Sequence, residues 1–192
     1  FSTGAGRVFS TGADLTGRGS ARKDAHTPLG MRISTFGYSR MVNAIWALEK
    51  PVVCAVNGTA AGASCNLALS CDLVMAADTA KFIQVFVRRG LIPDGGGTYI
   101  LPRLVGLPRA KQLMMLGEDL PAAQALAMGL IYNVVPAEKL MEEAMALAQR
   151  LACGPTRSIG MIKSMLNKSF ESDIVAALER EASLQGIAAG TG

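Results

Sequence analysis

Pro51-Val52-Val53-Cys54-Ala55-Val56, at positions 51–56, is the stretch that decides the fold. It is short, rich in β-branched residues and uniformly apolar, which is typical of a parallel strand that is covered on both faces. Asn57-Gly58 ends this strand, residues 64–70 predict a helix, and residues 72–77 predict a second buried strand. A strand, a helix and a strand in this order indicate a right-handed crossover in a parallel sheet. We therefore expect an α/β fold.

The segments on either side predict a loop before the sheet and helices after it. Residues 1–16 form a glycine-rich turn region, residues 17–30 are small, polar and aperiodic as in a mobile loop, and residues 31–48 have apolar side chains at helical spacing. Residues 81–87 predict a short extended segment. Further helices are predicted at residues 98–104, 109–116, 122–128, 139–152, 157–166 and 174–185. This order predicts an open sheet followed by a helical tail.

The composition is that of a globular or oligomeric protein. Half of the 192 residues are apolar and 18% are charged, which argues against disorder. The net charge of +4 comes without a dense basic run, so we expect no nucleic acid partner, although this charge suits a polyanionic small ligand such as coenzyme A.

Cysteine spacing and hydropathy bear on the compartment. The four cysteines lack CxxC or zinc spacing, so we expect reduced thiols and no metal. No segment predicts a membrane span or an export signal, and we expect a cytoplasmic protein. The chain begins with Phe1 rather than Met and ends on Gly-Thr-Gly, so we expect a fragment of a longer polypeptide.

Two glycine turns are candidates for binding an oxyanion. Gly62-Ala63-Ser64 lies at a strand-to-helix turn, where backbone N–H groups have no acceptor within the helix. By itself it is better explained as a tight turn. Gly12-Ala13-Asp14 is a second turn of the same kind, and an oxyanion hole usually takes donors from two separate segments. The pair is a moderate indication of such a hole.

Asp94 is the candidate catalytic carboxylate. It precedes Gly95-Gly96-Gly97 and a predicted helix, so it could be an N-cap, a catalytic base, or both. Hydrolysis is disfavoured, because Ser64 lacks a GxSxG context and His26, the single histidine, lies in the predicted loop. No dinucleotide or Walker pattern is present.

These motifs together resemble those of the enoyl-CoA hydratase/isomerase family, which has the crotonase fold. The two glycine turns, the Asn57-Gly58 break and the run at residues 92–98 occur in that family's order and spacing, as do the stretches 7–15, 101–106 and 127–135. Within the family, the 1,2-epoxyphenylacetyl-CoA isomerase-like members are the most similar, through residues 80–82, Phe86, 90–94 and 101–103.

The resemblance implies a specific architecture. It is a crotonase-like spiral of ββα turns with a mostly parallel sheet, followed by a C-terminal helical trimerisation region. Residues 1–137 would be the crotonase core, without its first N-terminal strands, and residues 138–192 a truncated C-terminal helical region. A homotrimer or hexamer is the expected assembly.

The resemblance also implies roles for individual residues. The backbone N–H groups of Ala13 and Ala63 would hold the thioester oxygen of an acyl-CoA, and Asp94 would be the base. The implied substrate-binding residues are Gly12, Asp14, Leu15, Gly62, Asn66 and Phe86. Hydratases of the family have glutamates where this chain has Asn66 and Phe86, and neither side chain can accept a proton as a carboxylate does. Coenzyme A would be part of the substrate, and no separate cofactor is expected.

Three functions remain open from the sequence. An isomerase that shuttles a proton with one carboxylate, on an enoyl-CoA or an epoxyphenylacetyl-CoA, is favoured because it needs no second acid. The second is an enoyl-CoA hydratase of fatty-acid oxidation. The third is a non-catalytic acyl-CoA-binding scaffold that kept the fold and lost the acids.

Overall fold

The computed structural model describes residues 2–12 and 27–190. Within them the strands are β1 (Ser2–Thr3), β2 (Val8–Ser10), β3 (Val53–Val56), β4 (Thr59–Ala61), β5 (Leu73–Ala77), β6 (Lys81–Ile83), β7 (Asp119–Pro121) and β8 (Asn133–Val135). The α-helices are α1 (Pro28–Ala47), α2 (Ala63–Leu69), α3 (Gly97–Leu116), α4 (Ala122–Ala127), α5 (Leu140–Ala152), α6 (Thr156–Lys168) and α7 (Ile174–Ala189). A 3-10 helix spans Val85–Arg89, and a shorter one spans Ala137–Lys139.

The strands form two four-stranded sheets. The first has the order β1-β3-β5-β8 and is parallel throughout, with Val53 opposite Leu73 and Val56 opposite Ala76. All four residues of β3 are buried, as the uniformly apolar stretch predicts. The predicted parallel crossover is therefore confirmed, and α2 lies in its connection.

The second sheet positions the site. Its order is β2-β4-β6-β7. The strands β2, β4 and β6 are parallel to one another, and β7 is antiparallel to β6. Because the carboxyl ends of parallel strands meet at one edge of a sheet, the segments that follow β2, β4 and β6 lie side by side. These segments contain Gly12, the Gly62-Ala63 turn and the 3-10 helix.

Two side chains cross-link the segments that flank β2 and β4. The amide of Asn57 donates to the carbonyl of Gly6 at 2.8 Å and accepts from the N–H of Gly4 at 3.2 Å. The hydroxyl of Ser64 contacts the carbonyl of Ser10 at 3.0 Å and that of Ala61 at 2.8 Å. Gly12, the described residue of the first predicted glycine turn, lies next to the second turn, since a Cβ at Gly12 would be 3.2 Å from the carbonyl oxygen of Ala61.

Several predicted boundaries differ from those observed. Residues 28–30 belong to α1 and not to a loop, because Thr27 caps the helix by accepting the N–H of Gly30 at 3.1 Å. The extended segment predicted at 81–87 ends at Ile83, and residues 85–89 are helical. Gly106 interrupts α3 with φ 77° and ψ 160°, which agrees with two separate helices at 98–104 and 109–116. The remainder of the loop predicted at 17–30 lies outside the described residues.

The C-terminal helices differ in how they contact the sheets. Leu140 and Ala144 of α5 are buried in the same core as β3 and β5. Lys163 of α6 reaches α1 and the start of β5: its Nζ donates to the carbonyl of Ile45 at 2.7 Å and to Asp72 Oδ2 at 2.8 Å. This ion pair is largely buried, so it fastens α6 to the core.

Further observations concern the cysteines, the hydropathy of the helices and the clustering of potential metal ligands. All four cysteines are free, and Cys54, Cys65 and Cys71 are buried while Cys153 is exposed. Across residues 2–12 and 27–190, no helix is long and apolar enough to cross a membrane. In the same part of the chain, no cluster of His, Cys, Asp and Glu side chains could hold a metal ion.

Candidate active site

A cavity of about 750 Å³ opens at the carboxyl edge of the second sheet. Such a volume is within the range of small-molecule sites in proteins. Its walls come from the segments after β2, β4 and β6, from α1, and from the loop before α3. Among the residues expected to form the site, those that line it are Gly12, Gly62, Ala63, Phe86 and Asp94. Ala13, Asp14, Leu15 and His26 lie outside the described residues.

The turn at Gly62 shapes one wall. Gly62 has φ 62° and ψ −133° and its N–H donates to the carbonyl of Ile83 at 2.9 Å. A side chain here would be strained, and its Cβ would lie 3.3 Å from Val85 Cγ1. Ala63 follows as the first residue of α2, so its N–H has no acceptor within the helix. The turn therefore presents a backbone donor at the cavity.

The surroundings of Asp94 are those expected of a base that is partly shielded from water. It lies in the cavity wall, half-buried, and its Oδ1 is buried without a hydrogen-bond partner among the described residues. Burial raises the pKa of its carboxyl, while its own backbone N–H opposes the rise. The N-cap of α3 is Gly96, and no side chain caps that helix. The N-cap role considered for Asp94 is therefore not observed, and its carboxylate is free to face a ligand.

Asn66 lies behind the cavity wall. It is 1% exposed, its Nδ2 donates to the carbonyl oxygen of Asp94 at 2.7 Å, and its Oδ1 accepts from Gln84 Nε2 at 2.7 Å. A carbonyl oxygen can only accept, so the orientation of both amides follows from the Asp94 end. The resemblance implies that Asn66 contacts the substrate. In the structure Asn66 instead lies outside the cavity lining and holds the backbone of Asp94.

Gly97, the last of the three glycines after Asp94, allows Asn66 to pack closely against this segment. A Cβ at Gly97 would overlap the amide of Asn66, lying 2.8 Å from its Oδ1. Gly97 also donates its N–H to the carbonyl of Asp94 at 3.1 Å. The carbonyl oxygen of Asp94 therefore accepts two hydrogen bonds, one from Asn66 and one from Gly97. This arrangement is possible only because position 97 has no side chain.

Sequence reasoning missed Gln84. It is 4% exposed and follows β6 in an otherwise apolar stretch, Phe82-Ile83-Gln84-Val85. A polar residue in such a stretch is a sign of a buried hydrogen-bond network, since an unpaired buried amide is unfavourable. Its Nε2 also approaches the sulfur of Cys65 at 3.5 Å. Burial raises the pKa of the Cys65 thiol to about 12, so this cysteine is not a nucleophile at neutral pH.

The arrangement suits proton transfer by one base. Among the described residues, Asp94 is the single carboxylate that lines the cavity. The other walls include the side chains of Phe86 and Ile92, and Phe86 is buried. A carboxylate of raised pKa beside apolar walls can take and return a proton with little competition from water.

Comparisons with known proteins agree with this geometry. The family described as "Enoyl-CoA hydratase/isomerase" matches residues 2–189. The chain is 44% identical over 186 residues to "1,2-epoxyphenylacetyl-CoA isomerase" of Escherichia coli (strain K12), which covers 97% of this chain and 71% of that protein. It is 36% identical over 185 residues to "Short-chain-enoyl-CoA hydratase" of Clostridium acetobutylicum, with 96% and 69% covered.

A solved structure shows the same fold. The crystal structure of an enoyl-CoA hydratase from Polaromonas sp. JS666 has a TM-score of 0.86 and 32% sequence identity, and covers 94% of this chain and 70% of that one. The chain thus spans about 70% of the length of these proteins. Their names include both isomerases and hydratases.

Proposed function

Because the chain belongs to the enoyl-CoA hydratase/isomerase family, we propose that it is an acyl-CoA isomerase in which a single aspartate, Asp94, is the base. The observation that carries this proposal is the setting of Asp94, the single carboxylate lining the cavity among the described residues, with Oδ1 buried and without a partner. The two positions where family hydratases have glutamates hold Asn66 and Phe86, and neither side chain can activate water.

The proposed reaction moves a double bond along the acyl chain of a 3-enoyl-CoA or related thioester. The thioester oxygen accepts hydrogen bonds from the N–H of Ala63 and from that of Ala13, which lies outside the described residues. Asp94 takes a proton from the carbon next to the thioester carbonyl, and the negative charge moves to the thioester oxygen as an enolate. Each well-placed donor contributes about 3 kcal/mol to such a charge.

The same carboxyl then completes the reaction. Neutral Asp94 returns its proton to the carbon at the far end of the former double bond, and the enolate collapses to the conjugated 2-enoyl-CoA. One proton leaves and one arrives, so the product is an isomer and Asp94 is ionised again. Coenzyme A remains part of the substrate throughout, and no other cofactor takes part in these steps.

Asp94→Asn tests the proposal directly. We expect the variant to lose isomerisation of a 3-enoyl-CoA, followed by formation of the conjugated enoyl thioester, while the Kd of a saturated acyl-CoA stays within about threefold of wild type. Asp78→Asn, at an exposed carboxylate, is the matched control and should retain full activity. Undiminished turnover by Asp94→Asn would refute the proposal.

Enoyl-CoA hydration is the second candidate, because the chain is 36% identical to a short-chain-enoyl-CoA hydratase. It predicts loss of the enoyl absorbance when crotonyl-CoA is added to wild-type protein. Thioester binding without turnover of either substrate would instead favour the non-catalytic scaffold.

We also propose a homotrimer or hexamer. Support comes from the large apolar side chains on α6 and α7, since Leu166, Ile174 and Val175 are 64%, 70% and 73% exposed in the single chain. Exposed apolar surface of this kind commonly marks a protein–protein contact. Light scattering coupled to size exclusion measures the assembly.

A further inference from the structure

Two neighbouring arginines of the 3-10 helix Val85–Arg89 have different surroundings. Nη2 of Arg88 donates to Asp119 Oδ1 at 2.8 Å, and this hydrogen bond holds the pKa of Asp119 below its usual range. Arg89 instead lines the cavity. Among the described residues no carboxylate lies within ion-pair distance of Arg89. Arg88 is thus paired within the fold, whereas Arg89 is exposed and lines the cavity.

The geometry of the 3-10 helix places Arg89 relative to the reacting end of the cavity. A 3-10 helix has three residues per turn and rises about 2 Å per residue, so Arg89 follows Phe86 on the same side, roughly 6 Å further along. Phe86 packs against the Gly62 turn, since a Cβ at Gly62 would lie 3.8 Å from its Cζ. Arg89 therefore stands one turn away from the wall that carries the Ala63 N–H.

Among the described residues that line the cavity, the charged side chains are two arginines and one aspartate. Arg32 of α1 also lines it, with its guanidinium 5.7 Å from the centre of the Phe36 ring. The only carboxylate in the described wall is Asp94, which the proposed reaction uses as the base. Much of the remaining wall near Arg89 is apolar, as at Leu91 and Ile92. A guanidinium in this setting matches the paired oxygens of a carboxylate or a phosphate.

We propose that Arg89 determines substrate specificity by pairing with a carboxylate at the end of the acyl chain. This inference rests on the proposed acyl-CoA function and names its substrate class: thioesters of acids that carry a second carboxyl group. The phosphates of coenzyme A are the other anions of such a substrate. They are separated from the thioester by the whole pantetheine arm, whereas Arg89 lies one helical turn from the Gly62 wall, within reach of a short acyl chain.

Matched substrate pairs test the proposal. The substrates are 3-enoyl-CoA thioesters of equal chain length that end in a methyl group or in a carboxylate, and the variants are Arg89→Gln and its neighbour Arg88→Gln. Wild type is expected to prefer the carboxylate substrate. Arg89→Gln should lower kcat/KM for that substrate by on the order of 10-fold to 100-fold, the effect of one charged hydrogen-bonded pair, and change the neutral substrate less than about threefold. Arg88→Gln should leave this preference unchanged.

Other outcomes overturn the proposal. An equal loss on both substrates, absent when pantetheine thioesters replace the CoA thioesters, would assign Arg89 to the phosphates of coenzyme A. An equal loss with both kinds of thioester, or no preference in wild type, would leave Arg89 without a role in acyl recognition.

Binding separates this inference from the proposed reaction. Saturated acyl-CoA pairs with methyl and carboxylate ends cannot isomerise, and calorimetry gives their Kd values. Tighter binding of the carboxylate member by wild type, lost in Arg89→Gln, would support the role of Arg89 even if no isomerisation were found. Equal binding of the two members would refute it, whatever the reaction.

Discussion

Replacing Asn66 by aspartate tests whether this residue holds the backbone of Asp94. The two side chains have nearly the same shape, so packing against Gly97 is preserved. The change converts the Nδ2 donor, 2.7 Å from the carbonyl oxygen of Asp94, into an oxygen that faces another oxygen. The other end of the side chain still accepts from Gln84 Nε2. Only the contact to Asp94 is inverted.

The magnitude follows from burial and from the lost bond. Position 66 is 1% exposed, so an aspartate there is disfavoured as an anion and its pKa rises. At pH 8 the lost hydrogen bond contributes about 1 kcal/mol, and the buried charge, partly offset by Gln84, about 2–3 kcal/mol. The free energy of unfolding of Asn66→Asp should therefore be lower than that of wild type by about 3–4 kcal/mol.

The sign of the pH dependence is fixed by the raised pKa. A carboxyl whose folded pKa exceeds its unfolded value contributes stability below the unfolded pKa, about 3.9, and loses it as the pH rises through the folded pKa. A protonated aspartate can also donate to the carbonyl of Asp94. The deficit should thus shrink toward pH 4. Asn66→Leu, which has no ionisable group, should keep a deficit of about 2–3 kcal/mol at both pH values.

Urea denaturation at pH 4 and pH 8 measures these differences, and kinetics adds a functional measurement. Asn66 does not line the cavity, so Asn66→Asp should lower kcat for isomerisation by on the order of tenfold through displacement of Asp94, with KM nearly unchanged. An Asn66→Asp protein as stable as wild type at pH 8, with unchanged kcat, would refute the positioning role.

Two further predictions concern charge and burial. Burial raises the pKa of Asp94, so ionisation of this carboxyl disfavours folding. The Asp94→Asn variant should therefore unfold at a higher urea concentration than wild type at pH 8, and at the same urea concentration near pH 3. In wild type, kcat should rise as the pH passes through the raised pKa of Asp94. Lys163→Met removes the buried ammonium that donates to Asp72 and to the carbonyl of Ile45, while the Asp72 side chain is 23% exposed and keeps its hydrogen bond from the N–H of Val52. The free energy of unfolding should fall by about 1–3 kcal/mol, measured by urea denaturation.

The sequence predicted those helices and strands that are long enough to show a hydrophobic pattern. Residues 51–56 and 73–77 are uniformly apolar, and they contain the parallel strands β3 and β5 of the first sheet. The strands β4, β7 and β8 have three residues each, which is too short for any periodicity to appear. They exist because neighbouring strands supply their hydrogen bonds, and that is a property of the assembled sheet.

The candidate site was predictable in part for a related reason. Gly62 and Asp94 are visible because glycine runs mark unusual backbone, and the structure brings both to one cavity. The partnership of Asn66 with Gln84 joins residues that are 18 apart, and it depends on β4 and β6 being neighbours in the sheet. Neither residue alone carries a signal for the other, so only the fold could reveal that they act together.

The place of Asn66 also bears on the choice between isomerase and hydratase. Adding water across a double bond requires one group to activate the water and another to supply a proton, usually two carboxyls. Position 66 holds an amide that is hydrogen-bonded to protein at both ends, and position 86 holds a buried phenyl ring. Among the described residues that line the cavity, Asp94 is the one carboxylate that could serve in either step. An isomerase can use one carboxyl twice, because the acid formed when the base removes a proton can return that proton to another carbon. Among the described residues of the cavity wall, the single carboxylate is the half-buried Asp94, whose backbone carbonyl accepts from Asn66. This arrangement fits the proposed proton shuttle better than the addition of water.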